Sequence, residues 1–238
     1  MNVNARPVLP TRPTQPICAA HPALPAVPAR PALPAPPALP ALVIALALAL
    51  ATAGCANKPP EDPKDYVGTI AAARADKDRY FGTDSESPVP PGRRSELLPL
   101  GYFPIEPDYK ASAVLTPTDD TSVMDVPTST GAIRKMRRVG SLDFSLKGQS
   151  LRLTAFVEVG ARDMNHLFVP FRDLTSGAET YPGGRYLDLS RNATGIYEID
   201  FNRAYFPSCY YSPTYECPIP PIENRLTIPV KAGERFKL

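Results

Sequence analysis

An uncharged apolar run from Ala41 to Ala51, ALVIALALALA, divides the chain before any question of tertiary fold arises. Its length suits a signal-peptide h-region and falls short of the roughly 20 apolar residues of a transmembrane helix. Thr52, Ala53 and Gly54 follow, small side chains of the kind a signal peptidase admits before a cut, and then comes Cys55. Residues 1–54 are therefore expected to be a Pro/Ala-rich leader with a signal peptide. The remaining 184 residues are the length of one domain. Charge divides at the same place. The leader has three arginines (Arg6, Arg12, Arg30) and no acid, so the chain's +2 becomes −1 once it is removed. A near-neutral domain has no electrostatic footprint for nucleic acid.

Ala53, Gly54 and Cys55 match a lipobox, in which the cysteine is acylated before cleavage; Thr52 stands where a larger aliphatic residue is usual. The competing reading is an ordinary secretory signal with a chance cysteine. On the lipobox reading, residues 55–63 are a lipid-anchor tether rich in proline and charge. Several acyl chains on one cysteine hold a protein stably at a membrane. The expected location is the cell envelope, facing the periplasm or the outer surface, and Ala56 fits onward sorting to an outer membrane. Before the apolar run, proline recurs every third residue from Pro7 to Pro16 and from Pro22 to Pro40. That spacing favours polyproline II, hence a PxxP ligand. It also fits a start downstream, with Val27 as an alternative start and residues 1–40 as in-frame upstream sequence.

From residue 64 onward one β-rich domain is expected. Pro63 to Phe81 reads as a helix, with Tyr66, Ile70, Ala73, Lys77 and Tyr80 at helical spacing, Asp62–Pro63 as its start and Gly82 as its stop. Residues 83–100 read as a loop. The period then becomes two: Tyr109–Leu115, Leu142–Leu146 turning at Lys147–Ser150 into Leu151–Val157, Leu167–Phe171, Tyr186–Leu189 after Gly183–Gly184, Ile196–Asn202, and Leu226–Val230. Many short strands between turns predict a mainly β fold, an antiparallel sandwich or partly open barrel with the one N-terminal helix packed on it.

The text FVPFRDLTSGAETYPGGRYLDL from Phe168, DFNRAYFPSCYYSPTYECPIPPIENRL from Asp200, and KAGERF from Lys231 resembles the uncharacterised bacterial and archaeal domain-of-unknown-function family 1684. Weaker matches at Gly101–Ile105 and Arg138–Phe144 extend the resemblance over nearly all of the domain. Pro182 and Phe206 depart from the pattern, standing where a glycine and an asparagine are common. The resemblance supplies no activity.

Chemistry-bearing residues concentrate in one part of the chain: Asp173, Thr175, Ser176, Glu179, Tyr181, Arg185, Tyr186, Asp188, Asp200, Asn202, Tyr205, Glu223, Asn224 and Glu234. Asp173, Arg185, Tyr186, Asp200, Asn202, Tyr205, Glu223 and Asn224 are the candidate ligand-binding residues. Converging loops would bring them into one pocket for a polar ligand or for acid–base work. The alternative is that they cap turns and pair with one another. Gly183–Gly184–Arg185 would suit an anion, or a plain turn. Cys209 and Cys217, in an oxidising compartment, are expected as a disulfide worth roughly 2–3 kcal/mol. A redox pair usually has C-x-x-C spacing, and zinc would need two further ligands. His166, as the base of a Ser–His–Asp set, would need Ser176 or Ser208 as nucleophile, and no nucleophile elbow is present. No cofactor or metal motif is found. Two functions remain: an envelope lipoprotein that binds a polar ligand or envelope component, and an enzyme, a hydrolase for example, using the Asp/Glu/Arg/Tyr cluster.

Overall fold

The computed structural model describes residues 63–120, 122–161, 163 and 165–237. The leader, Cys55 and the tether lie outside the described residues, apart from Pro63.

Helix α1 runs Pro63–Thr83, two residues beyond the expected end and through Gly82. It buries Tyr66, Ile70 and Phe81. The stretch 83–100 is largely loop, with a 3₁₀ turn at Pro91–Arg93 and one helical turn, α2, at Arg94–Leu97.

The strands are β1 (Lys110–Pro117), β2 (Val123–Pro127), β3 (Ile133–Leu146), β4 (Gln149–Glu158), β5 (His166–Phe171), β6 (Arg185–Ser190) and β7 (Tyr197–Asp200). They form one antiparallel sheet in the order β6-β5-β4-β3-β1-β7, and β2 also pairs with β3. A bridge between Arg191 and Tyr197 brings the β6 end to the β7 end, so the sheet is a nearly closed barrel. Near-closure leaves little free edge, which answers the hazard of unpaired strand edges. The β3–β4 hairpin turns on Lys147 and Gly148, both at positive φ (49° and 77°), the geometry a two-residue hairpin loop requires.

Alternation places Leu142, Phe144, Leu153, Ala155, Leu167, Val169, Leu187, Leu189, Tyr197 and Ile199 in the barrel core. The outer face carries a smaller cluster, Val126, Met136 and Phe156, under the β2 hairpin.

Two expected elements differ. Leu226–Val230 forms no strand, because Pro229 lacks a donor N–H; Leu226 instead bonds to Arg172 through its backbone N–H at 2.8 Å. The strand expected to reach Asn202 ends at Asp200, where the chain enters a 3₁₀ turn at Phe201–Arg203. The helical turn α3 (Ser208–Tyr211) and a 3₁₀ turn at Ile222–Asn224 follow.

Candidate functional site

The sequence candidates do not meet in one pocket. Arg185 is fully buried and ion-paired with Asp173 at 2.8 Å. Its inward direction follows from strand parity with Leu187 and Leu189. The guanidinium also donates to the carbonyls of Ala232, Glu234 (3.2 Å) and Val230 (2.7 Å), while Asp173 Oδ1 accepts the N–H groups of Thr175 (2.7 Å) and Val230 (3.2 Å). The pair therefore fastens the 230–234 segment to the barrel. Arg185 is unavailable to an anion at Gly183–Gly184. At Gly184, φ is +92° and an added Cβ would stand 2.6 Å from the carbonyl oxygen of Phe171, so the turn serves chain geometry.

Asp200 and Asn202 form a second network with α1. Tyr66 donates its hydroxyl to Asp200 at 2.8 Å and accepts from Asn202 Nδ2 at 2.9 Å. Asn202 also exchanges hydrogen bonds with the backbone of Glu106, at 2.8 and 3.1 Å, and Arg203 pairs with Asp200 at 3.1 Å. Burial, reinforced by the bond to Asp200, pushes the Tyr66 hydroxyl well up. Asn224 lies elsewhere, fully buried, with its amide on the backbone N–H and C=O of Thr154 (2.7 and 2.8 Å) and on the carbonyl of Pro170 (2.7 Å). It bridges β4 and β5 where their own pairing is reduced to Phe156 and Phe168. Glu223 pairs with Arg138 at 2.6 Å, Tyr205 donates to Asp188 at 2.7 Å, and Tyr186 donates to the carbonyl of Pro218 at 2.5 Å.

A different set does converge. Glu234, only 1% exposed, accepts from Lys77 at 2.5 Å, from the Phe206 N–H at 2.6 Å and from the Tyr211 hydroxyl at 2.8 Å. Its backbone is held to Ala204, and its neighbours Gly233, Arg235 and Phe236 are held to Phe103, Gly101 and Glu179. The Lys77 ammonium lies over the rings of Phe81 (5.1 Å) and Tyr205 (5.0 Å). Asp78, on the next residue of α1, accepts the Leu100 N–H at 2.8 Å, and burial raises its carboxyl pKa. The Tyr102 hydroxyl is buried without a partner, and burial and then Glu234 push its pKa up. Burial, then Glu234, also raises Tyr211. A cavity of about 10 Å³ opens beside Glu234, lined by Leu97, Leu100, Phe206, Tyr210 and Tyr211. It has room for about one water. Sequence reasoning reached Glu234 but missed Lys77, Asp78, Tyr102 and Tyr211. Their only signals were a helical position and aromatic identity, and neither shows which distant carboxylate they meet.

The expected disulfide is absent: Cys209 and Cys217 are both free thiols. Instead the sulfur of Cys217 accepts the Cys209 N–H at 3.1 Å, and the two thiols share a hydrogen bond. His166 is exposed and meets neither Ser176 nor Ser208; its partners are Ser190 (2.9 Å) and Asp163 (3.3 Å) on the open surface. No group of metal-ligating residues occurs among the described residues, and no described helix is long and apolar enough to cross a membrane.

No curated protein matches the chain. Among solved structures, an uncharacterized protein of Haloarcula marismortui, determined by solution NMR, is 40% identical over 75% of this chain and 98% of its own, with a TM-score of 0.59. The family described as "Protein of unknown function (DUF1684)" matches residues 96–235. On that match, and on the near-complete coverage of the archaeal structure, this chain belongs to the DUF1684 family.

Proposed function

We propose that this protein is an exported lipoprotein, cleaved before Cys55 and held to a membrane by lipid on that cysteine, and that it binds a polar ligand or another envelope component in the periplasm or at the outer surface. One observation supports recognition at the surface: the polar residues expected to line a pocket are spent on the scaffold in separate networks, and the cavity beside Glu234 admits about one water. Recognition then falls to the outer surface, where partners are bound without a deep pocket. A thermal-shift screen of the full chain against envelope glycans, small polar metabolites and anionic or neutral lipid vesicles tests it. A saturable shift without consumption of the ligand supports binding; turnover of a screened compound overturns it. Mass spectrometry of the membrane fraction tests the anchor, with an acylated Cys55 expected at the mature N-terminus. An unmodified terminus at another residue refutes the anchor.

The second reading, an enzyme, rests on the Lys77–Glu234–Tyr211 contacts beside a buried, unpartnered Tyr102 hydroxyl. An acid, a base and a phenol in one place are a set that acid–base chemistry uses. It requires the cavity to open on binding. Turnover abolished by Glu234→Gln in a protein that remains folded would favour this reading.

A further inference from the structure

Cys209 and Cys217 belong to none of the networks above, and their surroundings are specialised. Cys217 is almost wholly buried, while Cys209, in the helical turn α3, is half-buried and within reach of solvent. The backbone of Cys217 is fixed to the β2–β3 turn: its carbonyl accepts the Ser129 N–H at 2.9 Å, and its N–H donates to Ser129 Oγ at 3.2 Å. The Cys209 sulfur faces the Cys217 thiol and the Tyr181 hydroxyl, the latter at 3.9 Å, and lies near Ser129, whose hydroxyl donates to the Tyr215 carbonyl at 3.3 Å. A thiolate is stabilised by donors arranged in this way. The other charged or titratable groups facing the pair are Tyr186, against both sulfurs, and Arg134, near Cys217. We propose that Cys209 and Cys217 form a thiol–disulfide exchange site for small-molecule disulfides, with Cys209 as the attacking thiolate and Cys217 as the resolving thiol.

The chemistry balances as follows. The Cys209 thiolate attacks one sulfur of a disulfide R–S–S–R, forming a Cys209–S–R bond and expelling RS⁻. Cys217 then gives its proton to solvent and attacks the Cys209 sulfur, displacing a second RS⁻. The protein loses two electrons and the single proton of Cys217, and the disulfide is reduced to two thiolates, which take their protons from solvent. The two cysteines are set for this order. The bond from the Cys217 thiol pulls Cys209 down to about 6, with Ser129 and Tyr181 adding to it and burial opposing. The same bond, with burial, pushes Cys217 up. Of the two sulfurs, Cys209 is therefore the one that carries negative charge more readily. Once Cys209 is in a mixed disulfide that charge is gone. Cys217 loses the partner that held its proton, and its pKa falls, enabling the second attack. Eight residues separate the two cysteines, so resolution is local and leaves the barrel in place.

The test uses the full chain with Cys18→Ser and Cys55→Ser, which leaves only this pair. One equivalent of 5,5′-dithiobis(2-nitrobenzoate) at pH 6.5 is expected to release two thionitrobenzoates per chain and leave no adduct on the protein. Cys217→Ser is expected to release one and retain the adduct, and Cys209→Ser to react at least tenfold more slowly than Cys217→Ser. A lasting adduct in the chain that has both cysteines, or equal rates for the two variants, overturns the proposal. A second measurement needs no change at the pair. Iodoacetamide labelling, mapped by mass spectrometry, should reach Cys209 first, with a half-maximal rate near pH 6. Labelling of Cys217 first, or a midpoint at the pH of an ordinary thiol, also overturns it.

Discussion

Arg185 follows a double glycine, where its charge invites the reading of an anion ligand, yet parity with Leu187 and Leu189 turns it into the barrel wall. There it holds Asp173 and three carbonyls of the C-terminal segment. A buried ion pair is costly to break, because the surviving partner keeps an uncompensated charge. Arg185→Leu is therefore expected to destabilise the fold by about 3–5 kcal/mol, measured by urea denaturation. A loss below about 1 kcal/mol would mean that Asp173 finds other donors. Asp78 behaves in the opposite way. Its pKa is raised in the folded state, chiefly by burial. The stability it contributes is thus full below its unfolded pKa and is lost as pH rises through the folded value. Asp78→Asn is expected to raise the melting temperature at pH 7 and to have little effect at pH 3. A melting temperature lowered at pH 7 would contradict this.

At the scale of elements, the β3–β4 hairpin was legible in the sequence because every ingredient is local: period two on both arms and a Lys147–Gly148 turn. Strand β2 and the first half of β3 were not. Their residues Val123, Asp125, Ile133 and Lys135 lie largely exposed, so no buried stripe marks them. The junction of β4 and β5 depends on a side chain from far along the chain, with Asn224 supplying the bonds that a strand neighbour would give. Removing it strands the Thr154 N–H and two carbonyls in the interior. Asn224→Ala should cost about 3 kcal/mol, and hydrogen exchange at Thr154 should accelerate more than at Leu142. Unchanged protection of Thr154 would show that β4 and β5 hold together without it.

Over the whole molecule, closure of the barrel is a thin join, as thin in strand pairing as the β4–β5 junction. One bridge, Arg191 to Tyr197, links the ends of β6 and β7, whereas β3 and β4 pair over ten registers. Native-state hydrogen exchange should therefore show the 191–197 join opening at lower free energy than the β3–β4 ladder; equal protection would indicate a fully closed barrel. The sequence by itself determined that the described domain is β-rich, that one helix precedes the strands, and which residues alternate into the core. Each of these depends on neighbours two to four residues apart, which periodicity reports directly. Only the tertiary structure decided what the polar residues do. Asp200 meets Tyr66, Asn224 meets Thr154, and Glu234 meets Lys77 across 134, 70 and 157 positions of chain. A carboxylate reads the same whether it will cap a turn, pair with a buried arginine or face a ligand. Its role is set by what the folded barrel places opposite it, and no local pattern carries that information.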